Sequence, residues 1–400
     1  MVYGQSHLAS VADFRLAARR ALPRMVYDFI DGGGGQETTI ANNRAALDDK
    51  RLLCSGPYDV DNRDQRVTLF GKTYSTPVII GPTGLAGLAW PWAEALLSRV
   101  AGDIGIPYVM SMASTCSQEE VIAENGQTNW AQLYLMRDRT LSDRVVDKAE
   151  ALGFEALEVT VDNPAIGVRL RDVRNGFSVP MKWTPRKMFS LAAHPGWSLR
   201  MARSGPPTLK LLSDILGDRR TDTLAEMFQD QIDSSVTWDD IAKLRDRWKK
   251  PLIVKGLLDA RHVAKAVELG VDGVVISNHG GRQLDGAVAT IDVLPDFVRE
   301  ARGRLTILID SGFRTGSDVA RALALGADAV QLGRAPLYAL AAGGEPALRH
   351  CLNCIREELD MAQGMMGAAH IGDFRSDMVF GYPPSPATPG KPSDVARIAR

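Results

Sequence analysis

The chain of 400 residues alternates between short apolar runs and longer amphipathic stretches. The apolar runs are rich in Val and Ile and do not alternate with polar residues, a pattern typical of strands buried on both faces. Most are followed by a helical pattern that ends at a glycine such as Gly153, Gly270 or Gly326. Eight such runs are present, at 78–80, 108–110, 130–135, 156–161, 252–255, 273–277, 306–310 and 329–332. Eight strand–helix units predict an α/β fold, a closed (β/α)8 TIM barrel.

An open, doubly wound sheet is the structural alternative. It would favour a Gly-x-Gly-x-x-Gly motif at the start of the first strand–helix unit, and the sequence has none there. The four glycines at 32–35 follow a helical pattern instead of a strand, which predicts a turn. The barrel therefore remains the favoured fold.

Three segments fall outside the repeat. Residues 1–75 predict an N-terminal extension of helices with a short hairpin near 67–74, and residues 170–236 form a long loop after the fourth barrel strand. The tail at 383–400 is rich in proline and is expected to be extended or partly disordered. We expect one domain over residues 1–380.

Charge and composition narrow the possible functions. The 47 basic and 48 acidic residues give a net charge of -1, which argues against nucleic-acid binding. No apolar run is long enough to span a bilayer, and the N-terminus lacks a signal-peptide pattern, so a cytoplasmic protein is expected. Cys351 and Cys354 have CxxC spacing within a helical pattern, and we predict ordinary helix residues and no metal site.

The long loop after the fourth strand has an unusual composition. Its first half mixes basic residues with aromatic residues and methionines, among them Arg186, Trp183 and Phe189. Such a mixture is found in segments that lie on a membrane surface. A lid over the site or a contact between subunits would explain it equally well, and both alternatives stay open.

The stretch from Ser277 to Gly286 carries the clearest chemical signal. It directly follows the sixth apolar run, and ligands bind at the carboxyl ends of parallel strands. His279 can take up a proton near neutral pH, and Arg282 can hold a carboxylate through two parallel hydrogen bonds. A base beside an anion-binding group predicts proton abstraction from a small acidic substrate.

Polar residues also follow the other strands, and a barrel would bring them to one pocket. Glycine and arginine after the last two strands predict a phosphate site. Lys255 ends an apolar run, where it could form a Schiff base, neutralise a developing anion or make a structural ion pair. The Schiff base would make the protein an aldolase. The strand-end residues are Pro82, Thr83, Gly84, Ser111, Gln132, Tyr134, Thr160, Asp162, Lys255, Ser277, Asp310, Gly312, Arg314, Gly333 and Arg334.

From about residue 10 to 370 the chain resembles the FMN-dependent 2-hydroxy acid dehydrogenases and oxidases. The resemblance is carried by Ser-Asn-His-Gly-Gly-Arg-Gln-Leu-Asp at 277–285, with supporting matches at 22–28, 132–134, 161–162, 169, 254–256 and 310–314. It implies an FMN cofactor and oxidation of an (S)-2-hydroxy acid to a 2-oxo acid. Electrons would pass to a quinone, another carrier or O2, and the family suggests a homotetramer.

The resemblance also implies roles for the residues that react. His279 resembles the catalytic base, and Asp162 resembles the carboxylate that stabilises its protonated form. Tyr134 resembles the group beside the substrate hydroxyl, and Lys255 the cation that stabilises the reduced flavin.

Binding residues follow from the same resemblance. Arg169 and Arg282 would grip the substrate carboxylate, and Tyr27 would donate a further hydrogen bond to it. The flavin ring and phosphate would be contacted by Thr83, Ser111, Gln132, Thr160, Ser277, Arg314 and Arg334.

Two features indicate the substrate. Residues 81–87 followed by Trp90-Pro91 resemble mandelate enzymes, whereas 134–139 and 162–164 resemble lactate enzymes. Gly84 beside the flavin would leave more room than alanine, although a turn could equally require a glycine there. We therefore expect (S)-mandelate or another bulky 2-hydroxy acid, with L-lactate dehydrogenase and an O2-using oxidase as alternatives. The basic and aromatic loop would place the protein peripherally on the inner face of the cytoplasmic membrane.

Overall fold

The structure is a computed structural model that describes residues 8–125, 129–165, 167–177, 184–205, 207–216 and 231–384. A two-stranded antiparallel hairpin precedes eight parallel strands, which close into a barrel as each pairs with the next and the last pairs with the first. The hairpin is β1 (Val67–Leu69) and β2 (Lys72–Tyr74). The barrel strands are β3 (Val78–Ile80), β4 (Tyr108–Met110), β5 (Asn129–Leu133), β6 (Ala156–Thr160), β7 (Leu252–Leu257), β8 (Gly273–Ile276), β9 (Thr306–Ile309) and β10 (Ala329–Leu332). The predicted TIM barrel is confirmed.

Helices follow the strands around the barrel. Gly153, Gly270 and Gly326 have φ angles of 85°, 68° and 102° and end three of these helices, as predicted. The helices are α1 (Val11–Ala21), α2 (Arg24–Asp31), α3 (Thr38–Asp49), α4 (Ala93–Ile104), α5 (Gln118–Glu124), α6 (Arg139–Ala151), α7 (Leu170–Asn175), α8 (Pro185–Ala192), α9 (Pro195–Ser204), α10 (Lys210–Leu216), α11 (Trp238–Arg247), α12 (His262–Glu268), α13 (Thr290–Ala301), α14 (Gly316–Ala324) and α15 (Arg334–Met366).

The barrel interior changes from apolar to polar along its axis. Side chains two residues apart on a strand share a face. One layer of inward side chains is apolar, and the hairpin packs against it: Ile79, Val109, Trp130, Ala156, Ile253, Val275, Leu308 and Ala329. The next layer, two residues nearer the carboxyl ends, consists of Gly81, Ser111, Gln132, Glu158, Lys255, Ser277, Asp310 and Gln331. The polar layer therefore forms the floor of a binding site at that end of the barrel.

The N-terminal extension packs against the end of the chain. Helix α1 lies along α15, and the buried Asp31 of α2 joins the two regions. The Arg15 side chain pairs with Asp31 at 2.6 Å, and the Tyr338 hydroxyl donates to Asp31 at 2.7 Å. These donors outweigh the effect of burial and lower the pKa of Asp31, so it remains a carboxylate.

The long loop after β6 contains α7 to α10. Its aromatic and methionine residues point in two directions: Trp197 is buried and donates to the Leu88 carbonyl at 2.8 Å, whereas Met188 and Phe189 are 61% and 77% exposed. Trp183, part of the predicted membrane-surface composition, lies outside the described residues. The outward-facing side chains are therefore fewer than the composition suggested.

Candidate active site

A cavity of about 720 Å³ opens at the carboxyl ends of the barrel strands. Most of the residues proposed from the sequence line it, although they come from eight different segments of the chain. These are Pro82, Thr83, Gly84, Ser111, Tyr134, Thr160, Arg169, Lys255, His279, Arg282, Asp310, Gly312, Arg314, Gly333 and Arg334.

His279 and Asp162 form a hydrogen-bonded pair beside this cavity. The Nδ1 atom of His279 lies 2.9 Å from Oδ1 of Asp162, so its Nε2 atom is left for a ligand. Burial alone would raise the pKa of Asp162, but the His279 and Lys255 charges outweigh burial and lower it. An ionised carboxylate behind an imidazole stabilises the imidazolium that forms when the ring accepts a proton.

Two backbone positions near the His279–Asp162 pair have positive φ angles, one at Gly256 and one at His279 itself. Gly256 has a φ of +104°, and a Cβ atom there would lie 2.5 Å from the Cβ of Asp162. His279 itself adopts a φ of +57°, and its amide donates to Ser277 Oγ at 3.0 Å. Positive φ at a residue other than glycine is costly and concentrates at functional sites, which fits a ring held in one position.

Lys255 is a buried cation in the floor of the cavity. Its Nζ atom donates to Ser277 Oγ at 2.7 Å and to Asp310 Oδ2 at 2.8 Å. Burial lowers the pKa of Lys255, but Asp310, Asp162 and Glu158 together outweigh that effect and hold the pKa above its usual value. The other oxygen of Asp310 accepts from Ser311 at 2.7 Å. Lys255 therefore carries a fixed positive charge.

Two further cations, Arg169 and Arg282, line the cavity. Arg282 donates to the carbonyl oxygens of Phe29 and Gly32 at 2.8 and 2.9 Å. Burial, together with repulsion from Arg169 and Arg334, lowers the pKa of Arg282. Within the described part of the chain, Arg282 forms no ion pair with a carboxylate. Arg169 lies 3.7 Å from the Asp172 carboxylate, which also lines the cavity, so an anionic ligand would be the missing counter-charge of Arg282.

Phe29, and not Tyr27, reaches the cavity from α2. The guanidinium groups of Arg282 and Arg169 lie 5.2 and 5.8 Å from the centre of the Phe29 ring. Tyr27 is buried beside Asp31 and does not line the cavity; burial and that carboxylate raise its pKa to about 12. Residues two apart on a helix do not share a face. The geometry thus does not support a carboxylate contact from Tyr27.

Gln132 and Ser277 lie behind the cavity wall. Gln132 accepts from the Met112 amide at 3.0 Å and donates to Thr160 Oγ1 at 3.1 Å. Ser277 Oγ accepts from both Lys255 and the His279 amide. Both residues hold cavity-lining groups in place.

Two more arginines, Arg314 and Arg334, line the cavity. Arg334 donates to the carbonyls of Ile30, Gly280 and Gly32 at 3.1, 2.8 and 2.9 Å, and Arg314 donates to the Phe313 carbonyl at 2.9 Å. Neither guanidinium pairs with a carboxylate in the ranges that the structure covers. Arginines next to glycine amides suit a phosphate. With Lys255 as a further cation in the cavity floor, the residues present fit FMN.

Asp285, which the sequence analysis left without a role, joins the histidine loop to the N-terminal extension. Its carboxylate accepts from the Gln36 amide at 2.7 Å, the Thr38 hydroxyl at 2.6 Å and the Thr39 amide at 3.0 Å. It thereby satisfies donors at the start of α3. An acidic residue close to a helix start is recognisable in a sequence only when both lie in the same segment, and here about 250 residues separate them.

Comparisons with known proteins agree with this geometry. A family model described as FMN-dependent dehydrogenase matches residues 18–380. An L-lactate dehydrogenase from Pectobacterium atrosepticum is 38% identical over 374 residues, covering 92% of this chain and 96% of that protein. The structure of a monotopic membrane protein, (S)-mandelate dehydrogenase, is 38% identical with a TM-score of 0.90, covering 94% and 99% of the two chains. A mandelate oxidase structure is 35% identical with a TM-score of 0.79, covering 92% and 97%.

Proposed function

The chain belongs to the FMN-dependent dehydrogenase family, and we propose that it oxidises (S)-mandelate or another bulky (S)-2-hydroxy acid to the 2-oxo acid. The observation that carries the proposal is that His279, hydrogen-bonded to Asp162 at 2.9 Å, lines one cavity with Arg169 and Arg282, and that Arg282 has no carboxylate partner among the described residues. Oxidation of a 2-hydroxy acid requires a base that accepts a proton and a cation that binds the carboxylate.

The residues of the cavity have separate roles in the proposed reaction. Arg169 and Arg282 hold the substrate carboxylate, and His279 takes a proton from the substrate while Asp162 stabilises the imidazolium. Bound FMN supplies the acceptor for the two electrons. Lys255 holds a positive charge at the floor of the cavity, where it stabilises negative charge that arrives with those electrons.

The cavity favours a bulky apolar substituent on the substrate. Phe29 and Phe177 line it and stack at 4.6 Å between ring centres. Gly84 also lines it, and a Cβ atom there would lie 3.0 Å from Ala113 Cβ, so an alanine would crowd this wall. A phenyl group can pack on such a surface. L-Lactate is the second candidate, because relatives from Pectobacterium and Yersinia are named L-lactate dehydrogenases.

Anaerobic flavin bleaching tests the proposal. The purified holoprotein is mixed with (S)-mandelate, L-lactate or glycolate, and the loss of the yellow FMN absorbance is followed in a stopped-flow instrument. We expect the fastest reduction with (S)-mandelate. The variant His279→Ala is expected to keep its FMN but to be reduced far more slowly. Bleaching by none of the three acids would refute the proposal, and faster bleaching by L-lactate would move the substrate to the second candidate.

The aldolase alternative is less favoured. A lysine that attacks a carbonyl must lose its proton, and the pairing of Lys255 with Asp310 at 2.8 Å stabilises the protonated form. Borohydride trapping of a carbonyl compound on Lys255 would support the aldolase. We expect no such adduct.

The electron acceptor is proposed to be a membrane carrier such as a quinone. Among the described residues, no helix has the length and apolarity needed to cross a bilayer. Exposed apolar side chains do occur on the long loop, at Met188, Phe189 and Leu199, and the similar (S)-mandelate dehydrogenase is described as monotopic. Side chains of this kind insert into the interfacial region of a membrane. We therefore propose peripheral attachment through α8 and α9.

Vesicle sedimentation separates this idea from a lid or a subunit contact. The wild-type protein is expected to pellet with anionic lipid vesicles, and the double variant Met188→Ser/Phe189→Ser to remain in the supernatant. Met361→Ser, which changes an exposed methionine on α15, serves as the matched control. A wild-type protein that stays in the supernatant with vesicles would remove the membrane from the proposal and favour O2 or a soluble carrier.

A further inference from the structure

Glu158 is a buried carboxylate that the proposed reaction does not use. It lies on β6 with 0% exposure, in the inward-facing polar layer that also contains Lys255 and Asp310. Its Oε2 atom accepts from the amide of Gln331, which lines the cavity. Glu158 is therefore one side chain away from whatever the cavity holds.

The hydrogen-bonding capacity of Glu158 and Gln331 is not fully used. The Oε1 atoms of both Glu158 and Gln331 are buried and have no hydrogen-bond partner in the described chain. A buried ionised carboxylate normally has several donors or a cation in direct contact, because an unpaired charge is costly there. A proton on Glu158 would remove that charge and would also supply a donor.

The other carboxylates around this layer differ from Glu158. Asp310 accepts from Lys255 and Ser311, and Asp162 is paired with His279. On β5 the neighbouring inward residue, Gln132, is neutral. Among these three acids in the described residues, only Glu158 has a neutral amide as its hydrogen-bond donor, so it is the carboxylate that responds most readily to added negative charge.

The electrostatics agree with this geometry. Burial raises the pKa of Glu158 to about 7, although Lys255 and the Gln331 amide act in the opposite direction; Asp310 and Asp162 add to the rise. A group that titrates near neutral pH changes its protonation when a nearby charge changes.

We propose that Glu158 binds one proton when the bound cofactor accepts two electrons, so that the added negative charge is partly compensated from the barrel interior. The inference rests on the proposed function only in requiring bound FMN. The hydroxy acid, or any other reductant, is oxidised and supplies both electrons. The solvent supplies the proton, the new bond is O–H on Glu158, and no bond to the cofactor forms or breaks at this residue.

Gln331 positions the carboxylate. A Cβ atom on Gly81 would lie 3.2 Å from Gln331 Cβ and 3.4 Å from its Oε1, so the glycine leaves the space in which Gln331 reaches towards β6. The hydrogen bond from Gln331 stabilises ionised Glu158. Replacing Gln331 with leucine should therefore move proton binding to higher pH.

The midpoint potential of the holoenzyme tests the proposal without substrate. It is measured electrochemically from about pH 5.5 to 9, across the ordinary range of a raised carboxyl pKa. Binding one extra proton per two electrons shifts the equilibrium tenfold per pH unit, which is about 30 mV. Over an interval near neutral pH, we expect the midpoint potential of the wild type to fall by about 30 mV more per pH unit than that of Glu158→Gln. In Gln331→Leu the same interval should lie at higher pH.

Glu155→Gln is the matched control, because Glu155 precedes the same strand at the opposite end of the barrel and contacts Lys72 and Tyr74 of the hairpin. It should follow the wild type. Parallel curves for wild type and Glu158→Gln at every pH would overturn the proposal.

A second measurement needs only the wild-type protein. The infrared difference spectrum between reduced and oxidised holoenzyme, above neutral pH, should show a new protonated carboxyl absorption, and its absence would also overturn the proposal. Because electrodes supply the electrons, a failure of (S)-mandelate or L-lactate to reduce the flavin would count against the proposed function alone.

Discussion

The side chains of Asn43 and Asn278 exchange two hydrogen bonds, of 3.0 and 2.7 Å, in the protein interior. Asn43 belongs to α3 of the N-terminal extension, and Asn278 is the residue before His279. The extension therefore holds the loop that carries the proposed base.

Replacing Asn43 with alanine should destabilise the protein by about 1–3 kcal/mol, because it leaves the buried Asn278 amide without this partner. Chemical denaturation measures the loss, and flavin reduction by substrate should slow in parallel. The adjacent Asn42 is exposed, so Asn42→Ala should match the wild type. Equal stability of the two variants would show that the Asn43–Asn278 pair is not needed.

Asp162→Asn should keep FMN absorbance but slow flavin reduction by about 100-fold or more, since an amide does not stabilise the imidazolium of His279. Stopped-flow reduction measures the rate. Asp259→Asn, at an acid beyond β7 that pairs with Arg261 and does not line the cavity, should reduce at the wild-type rate. A fast Asp162→Asn enzyme would mean that His279 works without its carboxylate.

Phe29→Leu should raise the KM of the hydroxy acid by about tenfold with little change in kcat. The ring contacts two guanidinium groups, and a partly desolvated contact of this kind contributes on the order of 1–2 kcal/mol. Tyr27→Phe removes only a hydroxyl that lies away from the cavity and should leave KM unchanged. Steady-state kinetics of both variants decide between the two residues, and a larger effect at Tyr27 would restore the assignment made from sequence.

The stability of the protein should depend on pH through Glu158. Its pKa is raised from 4.5 to about 7, so the folded state binds more protons than the unfolded state between those values. The contribution is therefore present below about pH 4.5 and is lost as the pH rises through 7. The loss is on the order of 3 kcal/mol.

Glu158→Gln should lack this loss. Urea denaturation at about pH 5 and pH 8 compares the two proteins, and the difference between them isolates Glu158 from other acids. The same loss of stability in both proteins would contradict a neutral Glu158 in the folded state at low pH.

The strands were predictable because Val and Ile cluster in runs of the right length. The ends of the strands were less predictable. β7 continues to Leu257 because the register shifts after Lys255, where Gly256 takes a positive φ. The residues at the strand ends were predictable too, since a closed barrel brings them to one side whatever the loops do.

The sequence could not predict the position of side chains that depends on how a helix is rotated against the barrel or on long-range packing. Tyr27 and Phe29 stand two apart in the same motif, and only the angle at which α2 docks decides which one faces the cavity. Trp197 and Phe189 contribute alike to an aromatic composition, yet one is buried and the other exposed. Glu158 did leave a signal: an acidic residue in an apolar strand, two residues from Ala156 and Thr160, shares their inward face.

The reach of the N-terminal extension has a consequence for biosynthesis. Arg282 and Arg334 both donate to the carbonyl of Gly32, and α1 packs on α15, so the N-terminal extension and the segment from β8 to α15 complete the site together. A nascent chain on the ribosome holds its opening helices without their partners until β10 and α15 have emerged. We therefore expect flavin to bind only after nearly the whole polypeptide has been translated.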